Sequence, residues 1–342
     1  MDLKLVEKIV EAVLYEGYIL YPYRASAVKN RQRFNFGVLT PKSYSEAHNG
    51  TERWQSQTQC PVSAAAALDV KARFLRLCLR EVQRLDQTTG EFHPVESLDV
   101  DGKLYQTWQE AVECEAGAPE LELKTLTEKP HRVNFSFPAA ESSEPLRDKD
   151  RNIVGAIVRR QFALAGELEI TAAPAGENLC RLTVLLSNTT PFEEAQNKSR
   201  DDALLRSLAS AHLILSVRNG ELISLLDPPE EFAAAAASCE NIGTYPVLVG
   251  TGGERDCMLS SPIILYDYPQ IAPESPGELF DGTEIDEILM LRIMTMTDEE
   301  KREMQALDER TRKMLQRTET LPPEEFMKLH GALRNPRALA DE

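Results

Sequence analysis

The sequence predicts an α+β fold: a central antiparallel β-sandwich with an N-terminal helix and a helical C-terminal arm. Three observations carry that expectation. Apolar residues recur at helical spacing at the N-terminus, short alternating runs bounded by turn residues fill the middle without a regular βαβ alternation, and helix-start signals crowd the C-terminal end. The expected organisation is an N-terminal helical and extended segment packed on the core (1–90), a β-rich sandwich domain (91–280) and a helical arm (281–342).

Leu3, Val6, Ile9, Val10, Val13 and Leu14 share one helical face, interrupted by Glu7, Lys8 and Glu11, which describes an amphipathic helix rather than a secretory signal. From Gly17 to Pro41 the chain is expected to be extended and irregular, rich in Tyr, Phe and Val and punctuated by Pro22 and Pro41. Residues 65–85 include LDVKARFLRLCLREVQRL. Its start alternates like a strand, its later spacings of three, four and seven fit a helix, and the stretch is taken as helix.

In the middle, Val100-Asp-Gly-Lys103 is a turn signal and 120–126 (ELELKTL) alternates briefly. Strands are expected at 152–164, 167–171 and 181–186, the last two joined by a turn at 174–178. Asn219-Gly220 predicts a tight hairpin inside HLILSVRNGELISLL, because this dipeptide accepts the positive φ angles that such a turn needs. Short helices are expected at 200–210 and 229–238, and strands at 245–250 and 262–266. After the loop PQIAPESPGELFDG, helices are expected to start at Thr283, at Thr297 and at Pro322, with Gly331 ending the last. Thr297-Asp-Glu-Glu300 is a capping box, in which hydroxyl and carboxylate satisfy backbone amides at the helix start.

Composition bounds the function. The 342 residues carry a formal net charge of -17, with 42% hydrophobic and 27% charged residues, as in soluble globular proteins. An excess of acid argues against nucleic acid, whose phosphates are held chiefly by Lys and Arg. No window approaches the roughly 18 consecutive apolar residues of a membrane span, so no membrane insertion is expected. Six scattered cysteines, no two closer than eighteen residues, point to a reduced, cytoplasmic setting.

Chemistry-bearing motifs are sparse. The histidines at 48, 93, 131, 212 and 330 form no close pair and the cysteines no C-x-x-C, so neither a metal nor another cofactor is expected. No G-x-S-x-G elbow occurs. The glycines of Gly250-Thr-Gly-Gly-Glu-Arg255 lack the Lys-Ser/Thr of a phosphate loop and lie beside Glu254 and Asp256, so a loop between strands is expected. The doublets Glu193-Glu194, Asp201-Asp202 and Glu230-Glu231 would form an acid/base pair only if the fold gathered two of them in a cleft. An enzyme or metal-binding module built from distant His, Cys and carboxylate residues, such as His48, Cys60 and His93, is the alternative function.

Two features stand out. In YPYRASAVKNRQRFNFGVLTPK, Arg24, Lys29, Arg31 and Arg33 interleave with aromatic residues, and no acid occurs between Gly17 and Ser45. In so acidic a chain these bases are expected to meet carboxylates, its own or a partner's. The second feature is the tail, which holds six of the eight methionines, among them Met290, Met294, Met304 and Met314 on helical stripes. These serve either as core packing or as an adaptable docking surface, because methionine is flexible and polarizable.

Three blocks carry a resemblance: EGYILYPYRASAVKNRQRFNFGVL at 16–39, SLLDPPEEFAAAAASCENIGTYPVLVG at 224–250 and SSPIILYDYPQIAPESPGELFDGTEIDEILMLRIMTMTDEEK at 260–301. They resemble an uncharacterised bacterial family associated with gene clusters of aerobic uptake nickel-iron hydrogenases. The resemblance implies a setting, hydrogenase assembly or association, and brings no catalytic residues. Together with the missing metal motifs it leads to a non-enzymatic accessory or assembly protein that binds a protein partner, a hydrogenase subunit or precursor.

Overall fold

The computed structural model describes residues 3–15, 36–63, 67–270, 293, 295–306 and 309–320. The fold is a sheet-rich α+β fold, and every strand pairing among the described residues is antiparallel. Helix α1 (Leu3–Leu14) buries Val6, Ile9, Val10, Val13 and Leu14 and exposes Glu7, Lys8 and Glu11, as its period predicts. A short helix, α2 (Lys42–Ala47), precedes the first strand.

The smaller sheet has the order β1 (Gln55–Ser63), β11 (Leu179–Asn188), β10 (Leu164–Gly176), β7 (His131–Phe137). The larger has the order β13 (Tyr245–Leu248), β14 (Cys257–Ser261), β12 (Ala209–Arg218), β2 (Ala67–Leu85), β9 (Ile153–Gln161), β8 (Ala140–Arg147). Two further strands, β3 (Phe92–Val95) and β6 (Trp108–Leu121), also pair with β2, and β4 (Ser97–Val100) and β5 (Lys103–Gln106) form a separate hairpin. At the tip of that hairpin Asp101 and Gly102 take φ of 52° and 87°, the paired positive values for which the Asp-Gly turn signal stands.

Strand β2 is the spine. Its nineteen residues meet β12 and then β9 along one edge, and β6 and then β3 along the other. This corrects the helix expected at 65–85. Leu68, Val70, Ala72 and Phe74 face the core between the sheets, while Leu75 and Leu77 face the other way, onto Leu14 of α1. With both faces covered, every residue from Ala72 to Cys78 is buried and the period-two signal is lost. Arg73, Arg76 and Arg80, all buried, add a spacing of three and four that imitates a helix. Arg76 sits near the end of the core, where its guanidinium donates to the carbonyls of Pro138 (2.7 Å) and Phe162 (2.5 Å).

One buried cluster takes side chains from both sheets: Cys60, Val62, Leu168, Ile170, Leu182 and Leu186 from the smaller, and Val70, Phe74, Leu213, Leu215 and Met258 from the larger. Phe74 packs against Phe135 and Phe137 at 5.7 and 5.9 Å between ring centroids. Gly166 makes room for that group, since a Cβ there would run into the Phe135 ring.

Other expectations sort by the same physics. The run 120–126 is not a strand: it ends β6 and starts α3 (Leu123–Glu128), whose Leu123 and Leu126 close the core at helical spacing. Asn219 does take φ 61°, but no hairpin follows. Both edges of β12 are occupied, by β14 and β2, so the chain crosses to β1, where the Ile223 amide donates to Pro61 O at 3.0 Å. Strands at 152–164, 167–171, 181–186 and 245–250 are found as β9, β10, β11 and β13, whereas 262–266 lies beyond β14 and joins no strand. The helix expected at 200–210 is α4 (Arg200–Leu204), already β12 by Ala209, and the one at 229–238 is a 3-10 turn leading into α5 (Ala233–Ala237).

The capping box starts α6 (Asp298–Ala306): the Thr297 amide donates to Glu300 Oε2 (2.9 Å) and the Glu300 amide to Thr297 Oγ1 (3.2 Å). It is followed by α7 (Glu309–Thr320), and the two helices enclose a small core of Ile293, Met296, Met304 and Leu315. Helix α6 docks on the β4–β5 hairpin through Arg302 Nη2 and Asp99 Oδ2, 3.0 Å apart. The helix starts expected at Thr283 and Pro322 lie outside the described residues. No helix among the described residues is long and apolar enough to cross a membrane.

Candidate functional site

The chain leaves β14 and doubles back beside β13, a strand that among the described residues pairs with β14 alone and carries Pro246, as edge strands can. Residues 262–268 are fixed there at both ends. At the start, the Ile263 amide donates to Ser261 Oγ at 3.1 Å. At the end, Asp267 Oδ1 accepts from the Leu248 amide (2.8 Å), the Tyr268 amide donates to Leu248 O (2.7 Å) and the Tyr268 hydroxyl donates to Glu254 O (2.9 Å). Ser224 completes the clamp. Its hydroxyl donates to Asp267 Oδ2 at 2.5 Å and accepts from the amides of Leu226 (3.0 Å) and Asp227 (2.9 Å).

Within the clamped strip the side chains alternate. Ile263 and Leu265 pack inward on the cluster that joins α1 to β13 and β14, while Ile264 and Tyr266 point out, 72% and 84% exposed. Tyr245, paired with Ser261 at the start of β13, is 47% exposed. Large apolar side chains held open on an ordered backbone lose little entropy on meeting a partner, which is the property of interface anchors. Replacing Asp267 with alanine removes the acceptor of two bonds at one end of the strip. The expected result is a loss of about 1–3 kcal/mol of stability and faster hydrogen exchange at the Leu248 amide; protection unchanged at that amide would show that Asp267 does not hold the strip.

Arg24, Lys29, Arg31, Arg33, Met290 and Met294 lie outside the described residues, as does the side chain of Met314. Met304 is 2% exposed and spends its side chain inside the core of α6 and α7. The sequence marks this strip only as a continuous apolar run, Ile263, Ile264, Leu265 and Tyr266, and such a run does not show which side chains face out.

Residues of the metal or enzyme alternative are dispersed. His48 stacks on Tyr44 (4.1 Å between centroids), Cys60 is buried in the core, and His93 is exposed opposite Arg84. Among the described residues no three His, Cys, Asp or Glu gather as a metal site. Burial pushes the Cys114 thiol up to about 11 and that of Cys257 up to about 12, so neither is a thiolate at neutral pH. In the loop after Gly250, Glu254 Oε2 takes the Thr251 amide at 3.0 Å, filling the position that a bound anion would need. His212 is fully buried in β12, and its Nδ1 donates to Ser210 O at 2.7 Å.

No protein-family model and no curated protein matches the chain.

Proposed function

We propose that this protein is a non-enzymatic accessory protein that binds a protein partner through the strip at Ile264 and Tyr266, and that the partner is a nickel-iron hydrogenase subunit or precursor. The observation that carries the binding reading is the exposure of Ile264 and Tyr266, 72% and 84%, on a backbone clamped at both ends. The hydrogenase setting is supported by the resemblance alone. Six free cysteines accord with a reducing, cytoplasmic compartment. The core shared by the two sheets supports a β-sandwich body, with α6 and α7 as part of a helical arm. In this reading Arg24, Lys29, Arg31, Arg33, Met290, Met294 and Met314 are further contact residues, the bases meeting carboxylates of the partner or of this chain.

The test is co-purification of the full chain with co-expressed hydrogenase subunits. Interface anchors cost about 2 kcal/mol or more on truncation, a loss of roughly thirtyfold in affinity. Wild-type protein is expected to retain a subunit or its precursor, and the double variant Ile264→Ser, Tyr266→Ala to lose it. Equal recovery with both proteins sinks the strip as the docking surface, and recovery with neither sinks the hydrogenase assignment.

A further inference from the structure

The β4–β5 hairpin and helices α6 and α7 surround an open cavity of about 630 Å³, which shares no lining residue with the strip. Helical spacing aims one face of each helix into it: Arg302 and Gln305 from α6, and Arg312, Gln316 and Glu319 from α7, with Lys103 from the hairpin. Three cations and one carboxylate therefore line this space in a chain of net charge -17.

The charges are unequally committed. Arg302 is held by Asp99 at 3.0 Å, and Glu319 is neutralised by Lys301 at 2.9 Å. Lys103 Nζ lies over the Tyr105 ring at 4.9 Å, and among the described residues neither Lys103 nor Arg312 makes an ion pair. The carbonyl end of α6 would repel an anion, but Arg80 Nη1 donates to Ala306 O there at 3.2 Å and offsets its partial negative charge. These two cations, a third fixed in place and two side-chain amides line a space of the size that takes a small molecule.

We propose that this cavity binds a small polyanion, a molecule with two or more phosphate or carboxylate groups, with Lys103 and Arg312 taking its charge and Gln305 and Gln316 its polar body. Arg312 suits either anion, since its planar guanidinium can meet two oxygens at once.

Calorimetric titration of the full chain at low ionic strength, with inorganic pyrophosphate in one arm and citrate in the other, tests this. Saturable binding of at least one probe is expected, and the arm that binds tells phosphate from carboxylate. The double variant Lys103→Ala, Arg312→Ala is expected to weaken it tenfold or more, and Lys124→Ala, on α3, to leave it unchanged. Both substituted side chains are exposed, and Arg312→Gln alone provides the same comparison should the double variant not fold. No saturable binding of either probe, or binding that survives the double variant or Arg312→Gln undiminished, overturns the proposal.

Discussion

Replacing Phe74 with alanine is expected to lower the unfolding free energy by about 3–5 kcal/mol. The ring is fully buried in the middle of β2, in the cluster to which both sheets contribute, and it touches Phe135 and Phe137 of the smaller sheet. Removing it leaves a void between two sheets whose strands are fixed by their own hydrogen bonds and can relax only in part. Urea unfolding measures the loss. Tyr266→Ala provides the contrast: at 84% exposure its change is expected to stay within about 0.5 kcal/mol. A Phe74 variant as stable as the wild type would mean that the sheets do not share one core, while a Tyr266 variant that loses several kcal/mol would make Tyr266 a structural residue and not an anchor.

What the sequence made legible is local. The turn of the β4–β5 hairpin is decided by Asp101 and Gly102 themselves, the start of α6 by Thr297 and Glu300 bonding one another, and α1 by a single covered face. What it hid depends on distant neighbours. Strand β2 lost its alternation because α1 covers one face and the smaller sheet the other. The turn at Asn219 formed, but its expected partner was excluded by β14 and β2, and the chain went to β1 instead. The strip belongs to the same class, since its outward side chains are set by Ser224, forty-three residues before Asp267. The polyanion cavity joins a hairpin near residue 103 to helices some two hundred residues later, as the Arg302 contact to Asp99 shows by its separation of 203.

Acidification from about pH 6.5 to pH 4 is expected to cost the protein roughly 3 kcal/mol through His212. Burial lowers the pKa of this imidazole to about 4; the bond to the Ser210 carbonyl opposes that shift, and the neighbouring Arg73 guanidinium adds to it. Because a carbonyl only accepts, the proton of the neutral ring sits on Nδ1, and Nε2 is left as a buried acceptor with no hydrogen-bond partner among the described residues. A proton placed on Nε2 would lie in the cluster where Arg73 of β2 already faces Glu113 (2.6 Å) and Glu115 (3.0 Å) of β6, with Tyr15 donating to Glu113 at 2.7 Å. Glu115 is also held by Lys71 at 3.5 Å, so Arg73 and Lys71 already balance the two carboxylates and leave no excess negative charge to offset a buried imidazolium. An unfolded histidine takes up its proton near pH 6.5. As pH falls below that value the unfolded state therefore binds more protons than the folded one, and stability declines until the folded-state pKa is reached. His212→Asn keeps a side-chain donor for the Ser210 carbonyl and removes the titration. Unfolding free energies measured across this window should fall more steeply for the wild type than for the variant, by the roughly 3 kcal/mol that separates the two curves at pH 4 after alignment at pH 7.5. Parallel curves would show that His212 is reached by protons in the folded protein, and that the space beneath α1 is open to water.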